Sequence, residues 1–210
     1  MRVIATIFFL VFSLELFSQT SIVTEPTKLD TLINHEERIA SISKGFQFFD
    51  PYFDEDFEDI LEKWPNILKK PLIYKRAVDD FFPTLHVWYF YDNDTTVRFI
   101  KYNWGFANTE VLASNDEIRN QKSRKKDYLR KYKTEKEYLK KILGDPTIED
   151  EKEDSESFYH LSTSWDTPEK RVIINMTVDQ SIIEFESKAI GKSIVVPRSG
   201  IEIKILFKEN

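Results

Sequence analysis

The stretch VWYFYDNDTTVRFIKYNW, residues 87–104, decides the fold. Two runs rich in aromatic and β-branched residues flank a polar centre, Asp92 to Thr96, and this composition is typical of two strands joined by a tight turn. The two aspartates of the centre also suggest a calcium loop. However, the segment has no glycine for the bend, and no acid closes the loop before Glu110. The sequence therefore predicts a β-hairpin with its turn at 92–96.

Two further turn signals lie nearer the C-terminus. One is DTPE at 166–169, and the other is PRSG at 197–200. The strand-like runs that flank them are 158–165 with 171–178, and 193–196 with 201–207. The last of these runs alternates apolar with charged residues, as in a strand with one solvated face. Residues 182–185 predict one more strand.

Helical patterns precede the hairpins. Apolar residues recur at helical spacing over 29–40 and 53–64, and two capping-box patterns predict two helices or one kinked helix within 115–143. The sequence therefore predicts an α+β fold, an antiparallel sheet of hairpins with amphipathic helices packed on one face. A short helix precedes an aromatic hairpin twice. The chain is thus either one compact domain or two similar halves, 45–113 and 114–210.

The N-terminus has the three regions of a secretory signal peptide. Arg2 precedes an apolar run from Val3 to Phe12 that is too short to span a bilayer, and small Ser18 stands at the expected cut. Ser18 followed by Gln19 resembles signal-peptide cleavage sites of Gram-negative bacteria. The other interpretation is an amphipathic first helix of the domain. We predict a signal peptide at 1–18, a flexible segment at 19–27 and a single domain at 28–210, located in the periplasm or secreted.

Composition narrows the class of protein. The chain has no cysteine, so after export it must be held together by a hydrophobic core instead of disulfides. The net charge of −6 does not indicate any class of binding partner. Charge nevertheless alternates along the chain, with acidic blocks at 50–59 and 145–156 around a basic block at 119–141.

Aromatic residues supply the first set of candidate binding residues. Rigid rings in one hairpin can line a groove for a sugar, a peptide or a lipid, because they lose little entropy on binding. The same rings can equally fill the gap between sheet and helices. The candidates for ligand binding are Tyr89, Tyr91, Tyr102 and Trp104.

The basic block supplies the second set. After export its targets would be lipopolysaccharide, an acidic polysaccharide or an anionic membrane surface, and we expect no nucleic acid partner. The alternative is a solvated helix face, docked against a neighbouring acidic block. The candidates for polyanion binding are Lys122, Arg124, Lys125, Lys126, Arg130 and Lys131.

Catalytic and metal sites have little support in the sequence. The acids of 50–59 suit a helix start, where the helix dipole stabilises carboxylates, or else a divalent-ion patch. His86 and His160 occupy comparable places in two hairpins and would approach each other only if the halves packed symmetrically. We therefore predict no catalytic residue, no metal site and no cofactor.

The function predicted from these features is an exported, non-catalytic binding or interaction module of the bacterial cell envelope. Its expected partner is an envelope protein or a glycan, and no transmembrane span is expected in the mature chain. The alternative is an envelope hydrolase that uses a carboxylate or a histidine–carboxylate site.

Overall fold

In the residues that the structure describes, the chain folds as an antiparallel sheet with two helices. A computed structural model describes residues 21–46, 66–76, 81, 83–105, 124–155, 158–179, 183–187, 192–196 and 199–208. The helices are α1 (Leu29–Arg38) and α2 (Lys125–Leu143). The strands are β1 (Ile42–Phe46), β2 (Leu72–Arg76), β3 (Leu85–Tyr91), β4 (Val97–Asn103), β5 (Ile148–Ser155), β6 (Phe158–Asp166), β7 (Lys170–Asp179), β8 (Ile183–Ser187), β9 (Lys192–Val196) and β10 (Gly200–Phe207).

Eight strands form one sheet in the order β1-β2-β3-β4-β10-β7-β6-β5, and β8 pairs with β9 in a separate ribbon. Every pair in the sheet is antiparallel. Strands β1 to β4 lie side by side in the sheet in the order in which they occur in the chain. Strands β5 to β7 also lie side by side. The C-terminal strand β10 joins the two runs, because it pairs with β4 on one side and with β7 on the other.

Two of the predicted hairpins are confirmed. β3 pairs with β4 around the turn at 92–96, and β6 pairs with β7 around 167–169. In the first turn, the Asp92 carboxylate accepts hydrogen bonds from the backbone N–H of Asp94 (3.2 Å) and of Thr96 (3.0 Å). Asp92 also binds Arg98 Nε at 2.7 Å. The turn interpretation of this stretch is therefore correct, and Asp92 has the local capping role that aspartate takes in tight turns.

The PRSG signal does not join a hairpin. Strands β9 and β10 flank it, but β9 pairs with β8 while β10 enters the middle of the large sheet. The pairing of a strand with a distant partner depends on tertiary contacts, which local turn chemistry does not encode.

Along the central strands, side chains that point inward alternate with side chains that point outward. The inward side chains are apolar, so the sheet has an apolar inner face. The inward side chains of the central strands are almost fully buried, as in Val87, Ile100, Ile174 and Ile203. The same hydrophobic cluster contains side chains from both helices: Leu29, Leu32, Tyr128, Tyr132 and Leu139. Helix α2 contacts β7 and β10, and Tyr132 OH lies 2.7 Å from Thr163 Oγ1 of β6. The described residues thus share one main core.

The opposite, outer face of the sheet carries a smaller cluster and many polar groups. Ile67, Phe90 and Phe99 form that cluster, with Trp88 and Leu206 packed against it. The predicted helix at 53–64, the acids of 50–59 and the first part of the predicted 115–143 helix lie outside the described residues. In the part of the chain that the structure describes, no helix is long and apolar enough to cross a membrane.

Candidate functional site

Helix α2 presents two different surfaces. Its apolar positions recur at helical spacing, so Tyr128, Tyr132 and Leu139 turn toward the sheet and are buried. The opposite side is exposed and carries mostly cations. We call this exposed set the basic face; it consists of Lys126, Arg130, Lys133, Lys140 and Lys141, with Glu137 among them.

The charge of α2 contrasts with that of the whole chain. The helix contains eight bases and three acids, which gives it a net charge of +5, whereas the chain carries −6. The positive charge is therefore concentrated on one element, and such segregation creates a local potential that attracts anions.

Part of the basic face is neutralised by nearby acids. Arg130 Nη2 lies 3.0 Å from Asp127 Oδ1, and Lys140 Nζ lies 2.7 Å from Asp145 Oδ1. The hydrogen bond from Lys140 lowers the pKa of the exposed Asp145 carboxyl. Lys126, Lys133 and Lys141 form no ion pair within the described residues. These three lysines are available to an external anion.

The structure separates the predicted polyanion-binding residues into two groups. Lys126 and Arg130 belong to the basic face. Three others contact aromatic rings of the protein itself: Arg124 lies over Phe81, Lys125 over Tyr159 and Lys131 over Trp104, at 5.2, 4.0 and 4.8 Å from the ring centroids. Lys122 lies outside the described residues.

Lys131 is the most enclosed of these cations. Its side chain is only 10% exposed and its Nζ lies 2.8 Å from Glu135 Oε1, one helical turn away. Contact with an indole ring and a carboxylate lets an ammonium group sit beneath the helix. Lys131 therefore packs against the sheet instead of joining the basic face.

The predicted aromatic residues line the core. Tyr89, Tyr102 and Trp104 are 0% exposed and belong to the main hydrophobic cluster, and Tyr91 is partly buried against it. No ring surface of the first three residues is open to a ligand. Their burial supports the core-packing interpretation of this hairpin.

Two of these tyrosines hold polar groups inside the core. Tyr89 OH donates to the Glu36 carboxylate and accepts a hydrogen bond from Arg76 Nη2 at 3.0 Å. Tyr102 OH accepts a hydrogen bond from the backbone N–H of Val23 at 2.8 Å. Burial raises the pKa of Tyr102 to about 12 and raises that of Tyr89 as well. Both phenols stay protonated at neutral pH.

Glu36 and Arg76 form a fully buried ion pair, which joins α1 to β2. Arg76 Nε donates to both carboxylate oxygens, at 3.1 and 3.0 Å, and Arg76 Nη2 makes a further contact with Glu36. Burial alone would raise the pKa of Glu36, but the hydrogen bonds and charge of Arg76, with the hydrogen bond from Tyr89, hold it below its ordinary value. The pair is ionised and closed to solvent.

The histidines do not converge. His86 on β3 and His160 on β6 are separated by four strand-to-strand steps, which places them roughly 19 Å apart at the usual spacing of about 4.8 Å. They cannot bind the same metal ion in this sheet. Among the described residues, no group of three or more potential ligands is positioned to hold a metal.

A polar row on the outer face was not singled out in the sequence. Five side chains lie in register on neighbouring strands: His86, Asn103, Glu202, Asn175 and Ser162. Glu202 binds Lys101 at 2.9 Å and Asn103 Nδ2 at 3.2 Å, and Ser162 donates to Asn175 at 2.8 Å. Along each strand these polar residues alternate with inward-facing apolar residues. This alternation is the sequence pattern from which such a row can be predicted.

The site must be interpreted from its own chemistry, because a fold alone does not define an activity. A scan against protein-family models and searches of curated proteins and of solved structures find no match to this chain.

Proposed function

We propose that this protein is an exported, non-catalytic binding module of the bacterial cell envelope, and that the basic face of α2 binds an anionic glycan. The observation that carries the proposal is the concentration of exposed cations on one side of α2, three of them without an ion-pair partner in the described structure. A repeated, flexible anion suits a row of separate ammonium groups, since no single geometry has to be met.

The proposed location follows from the N-terminal 18 residues, which have the pattern of a signal peptide. A cysteine-free chain with an extensive core can be stable in the periplasm or outside the cell without disulfides. In that setting an anionic glycan is an available ligand.

We also propose that both helices cover the same face of the sheet and that the chain contains two similar halves. In support, side chains of α1 and α2 share one hydrophobic cluster. In the chain, α1 precedes four strands of the large sheet, β1 to β4, and α2 precedes the other four, β5, β6, β7 and β10. The last strand of each set, β4 or β10, lies at the centre of the sheet. The first half then includes α1, which precedes residue 45.

The test is a charge reversal on the basic face. We expect Lys126→Glu with Lys133→Glu to weaken binding to heparin or polygalacturonate by about tenfold or more at low salt, since each lysine near an anionic surface contributes about 1 kcal/mol. Binding should be measured by titration calorimetry at several salt concentrations, and the affinity of the unmodified protein should fall as salt rises.

The matched control is Lys69→Glu with Lys70→Glu. Both lysines are exposed and lie outside α2, and the reversal changes the net charge by the same amount. The control should retain most of the affinity. Equal losses in the two variants would mean that only net charge matters, and absence of binding by the unmodified protein at low salt would refute the proposal.

A further inference from the structure

The segment that precedes α1 is held by side chains from several elements. We call residues 21–25, SIVTE, the arm. It belongs to residues 19–27, which the sequence predicts to be flexible. In the structure its backbone groups are bound by Arg76, Tyr102 and Lys170, which come from β2, β4 and β7.

Each contact is directed at the main chain of the arm. Arg76 Nη1 donates to the Ser21 carbonyl at 2.8 Å, and Lys170 Nζ donates to the Thr24 carbonyl at 2.7 Å. The backbone N–H of Val23 donates to Tyr102 OH at 2.8 Å. Three of the four residues from Ser21 to Thr24 are thus recognised through groups that every peptide has.

Two side chains of the arm add selectivity. Ile22 is 8% exposed and belongs to the main hydrophobic cluster, against which Val23 also packs. Glu25 Oε1 lies 2.8 Å from Lys170 Nζ. The groove therefore favours an extended peptide with an apolar second residue and an acidic fifth residue.

The groove itself is built by the fold. Arg76 is fixed by Glu36 and Tyr89, while Tyr102 lies in a central strand and Lys170 begins β7. The arm joins none of the described strands. Backbone pairing with the sheet begins at the Thr27 carbonyl, which accepts a hydrogen bond from the backbone N–H of Val97 at 3.0 Å, beside the bridge between Lys28 and Thr96. A site made of fixed side chains is preorganised, and preorganisation lowers the entropy lost on binding.

We propose that this groove is a peptide-binding site whose resident ligand is the chain's own arm, and that it accepts a separate peptide of the same chemistry once the covalent connection is cut. The connection is accessible, because Glu25 and Pro26 are both exposed. This site is distinct from the basic face of α2 and does not depend on glycan binding.

The experiment introduces a protease recognition sequence between Glu25 and Pro26 of the full chain. After the folded protein is cut, a fluorescent QTSIVTE peptide, residues 19–25, is added and its anisotropy is followed. We expect the labelled peptide to replace the cut arm and to bind with one-to-one stoichiometry. The matched control peptide carries Ile22→Asp and should bind about 10- to 100-fold more weakly, since it loses a buried apolar side chain.

Equal binding of the two peptides, or no binding to folded, cut protein, would overturn the proposal. A second measurement covers the case in which the insertion prevents folding. In the unmodified protein the amide hydrogen of Val23 should exchange far more slowly than in the free peptide, and Tyr102→Phe should speed its exchange. Exchange at the free-peptide rate in the unmodified protein would also refute the site.

Discussion

Replacing Arg76 with methionine is expected to lower the free energy of unfolding by about 3–5 kcal/mol, because the change leaves the Glu36 carboxylate buried without its cation. Arg76 is 2% exposed and Glu36 is 0% exposed, so water cannot take over the lost hydrogen bonds in the folded state. The same substitution removes the donor to the Ser21 carbonyl. Urea unfolding followed by circular dichroism measures the effect.

Two further variants identify the cause. Glu36→Leu combined with Arg76→Met should recover much of the loss, since apolar residues of similar size often replace a buried ion pair without a penalty. Lys140→Met, which breaks the exposed pair with Asp145, should leave the unfolding curve almost unchanged. If the double variant were as unstable as Arg76→Met, packing of the arginine and not its charge would be responsible.

The pH dependence of this pair has a definite sign. The folded-state pKa of Glu36 is below the ordinary 4.5, so its contribution to stability is fully present above about pH 4.5 and is lost as the pH falls through the lower, folded-state value. In Arg76→Met, burial is left to raise the pKa of Glu36 above 4.5. Protonation then favours the folded state.

We therefore expect the stability difference between the unmodified protein and Arg76→Met to be largest at neutral pH and to shrink below pH 5. Comparing the two proteins removes the contribution of the other carboxyl groups, which titrate in both. Urea midpoints measured between pH 4 and pH 7.5 provide the test. A difference that is constant across this range would show that Glu36 is not ionised beside Arg76.

Replacing Trp104 with alanine should lower the free energy of unfolding by about 3–5 kcal/mol, as is usual when a large buried ring is removed. The ring is 0% exposed, and Lys131 Nζ lies over it. The loss combines the transfer free energy of the ring, the cavity that remains and the contact with the cation. Chemical unfolding of the purified variant measures it.

Two substitutions serve as controls for Trp104. Trp104→Phe should cost clearly less than Trp104→Ala, because it keeps a ring and removes an indole N–H that has no hydrogen-bond partner among the described residues. Phe46→Ala should change stability little, since Phe46 is 57% exposed. A Trp104→Ala variant of normal stability that had lost binding to a ligand would favour the ligand-contact role over the core role.

The sequence predicts the two strongest hairpins because their information is local. β3 with β4, and β6 with β7, are adjacent in the chain, rich in aromatic and β-branched residues, and joined by short polar turns. Helix α2 is predicted for a similar reason, since its apolar residues recur at helical spacing. No distant contact is needed to recognise these elements.

Strands β1, β2 and β5 are harder to predict. The sequence of β5, IEDEKEDS, has almost no apolar residue, and β1 is mostly exposed. Both lie at the edges of the sheet, where charged side chains discourage pairing with other chains. These charges also remove the alternation of apolar and polar residues by which a strand is recognised in a sequence. β2 is recognised only through its pairing with β1 and β3.

The burial of the aromatic candidates is only partly predictable, because the sequence pattern allows two interpretations, core packing and ligand contact. Tyr89 alternates in step with Val87, and Tyr102 in step with Ile100, so these rings share the side of the apolar residues. The partnership of Glu36 with Arg76 carries no local signal, because 40 residues separate them. The available lysines of α2 could be identified only after Arg124, Lys125 and Lys131 were seen to contact rings of the protein.

The position of β10 in the sheet has a consequence for biosynthesis. This strand is translated after the other nine described strands, yet among them it is the one that joins the run ending in β4 to the run containing β7. Until it emerges from the ribosome, both neighbours keep an open edge that can pair wrongly. A premature stop before residue 200 would thus leave both edges unpaired and would prevent closure of the native sheet.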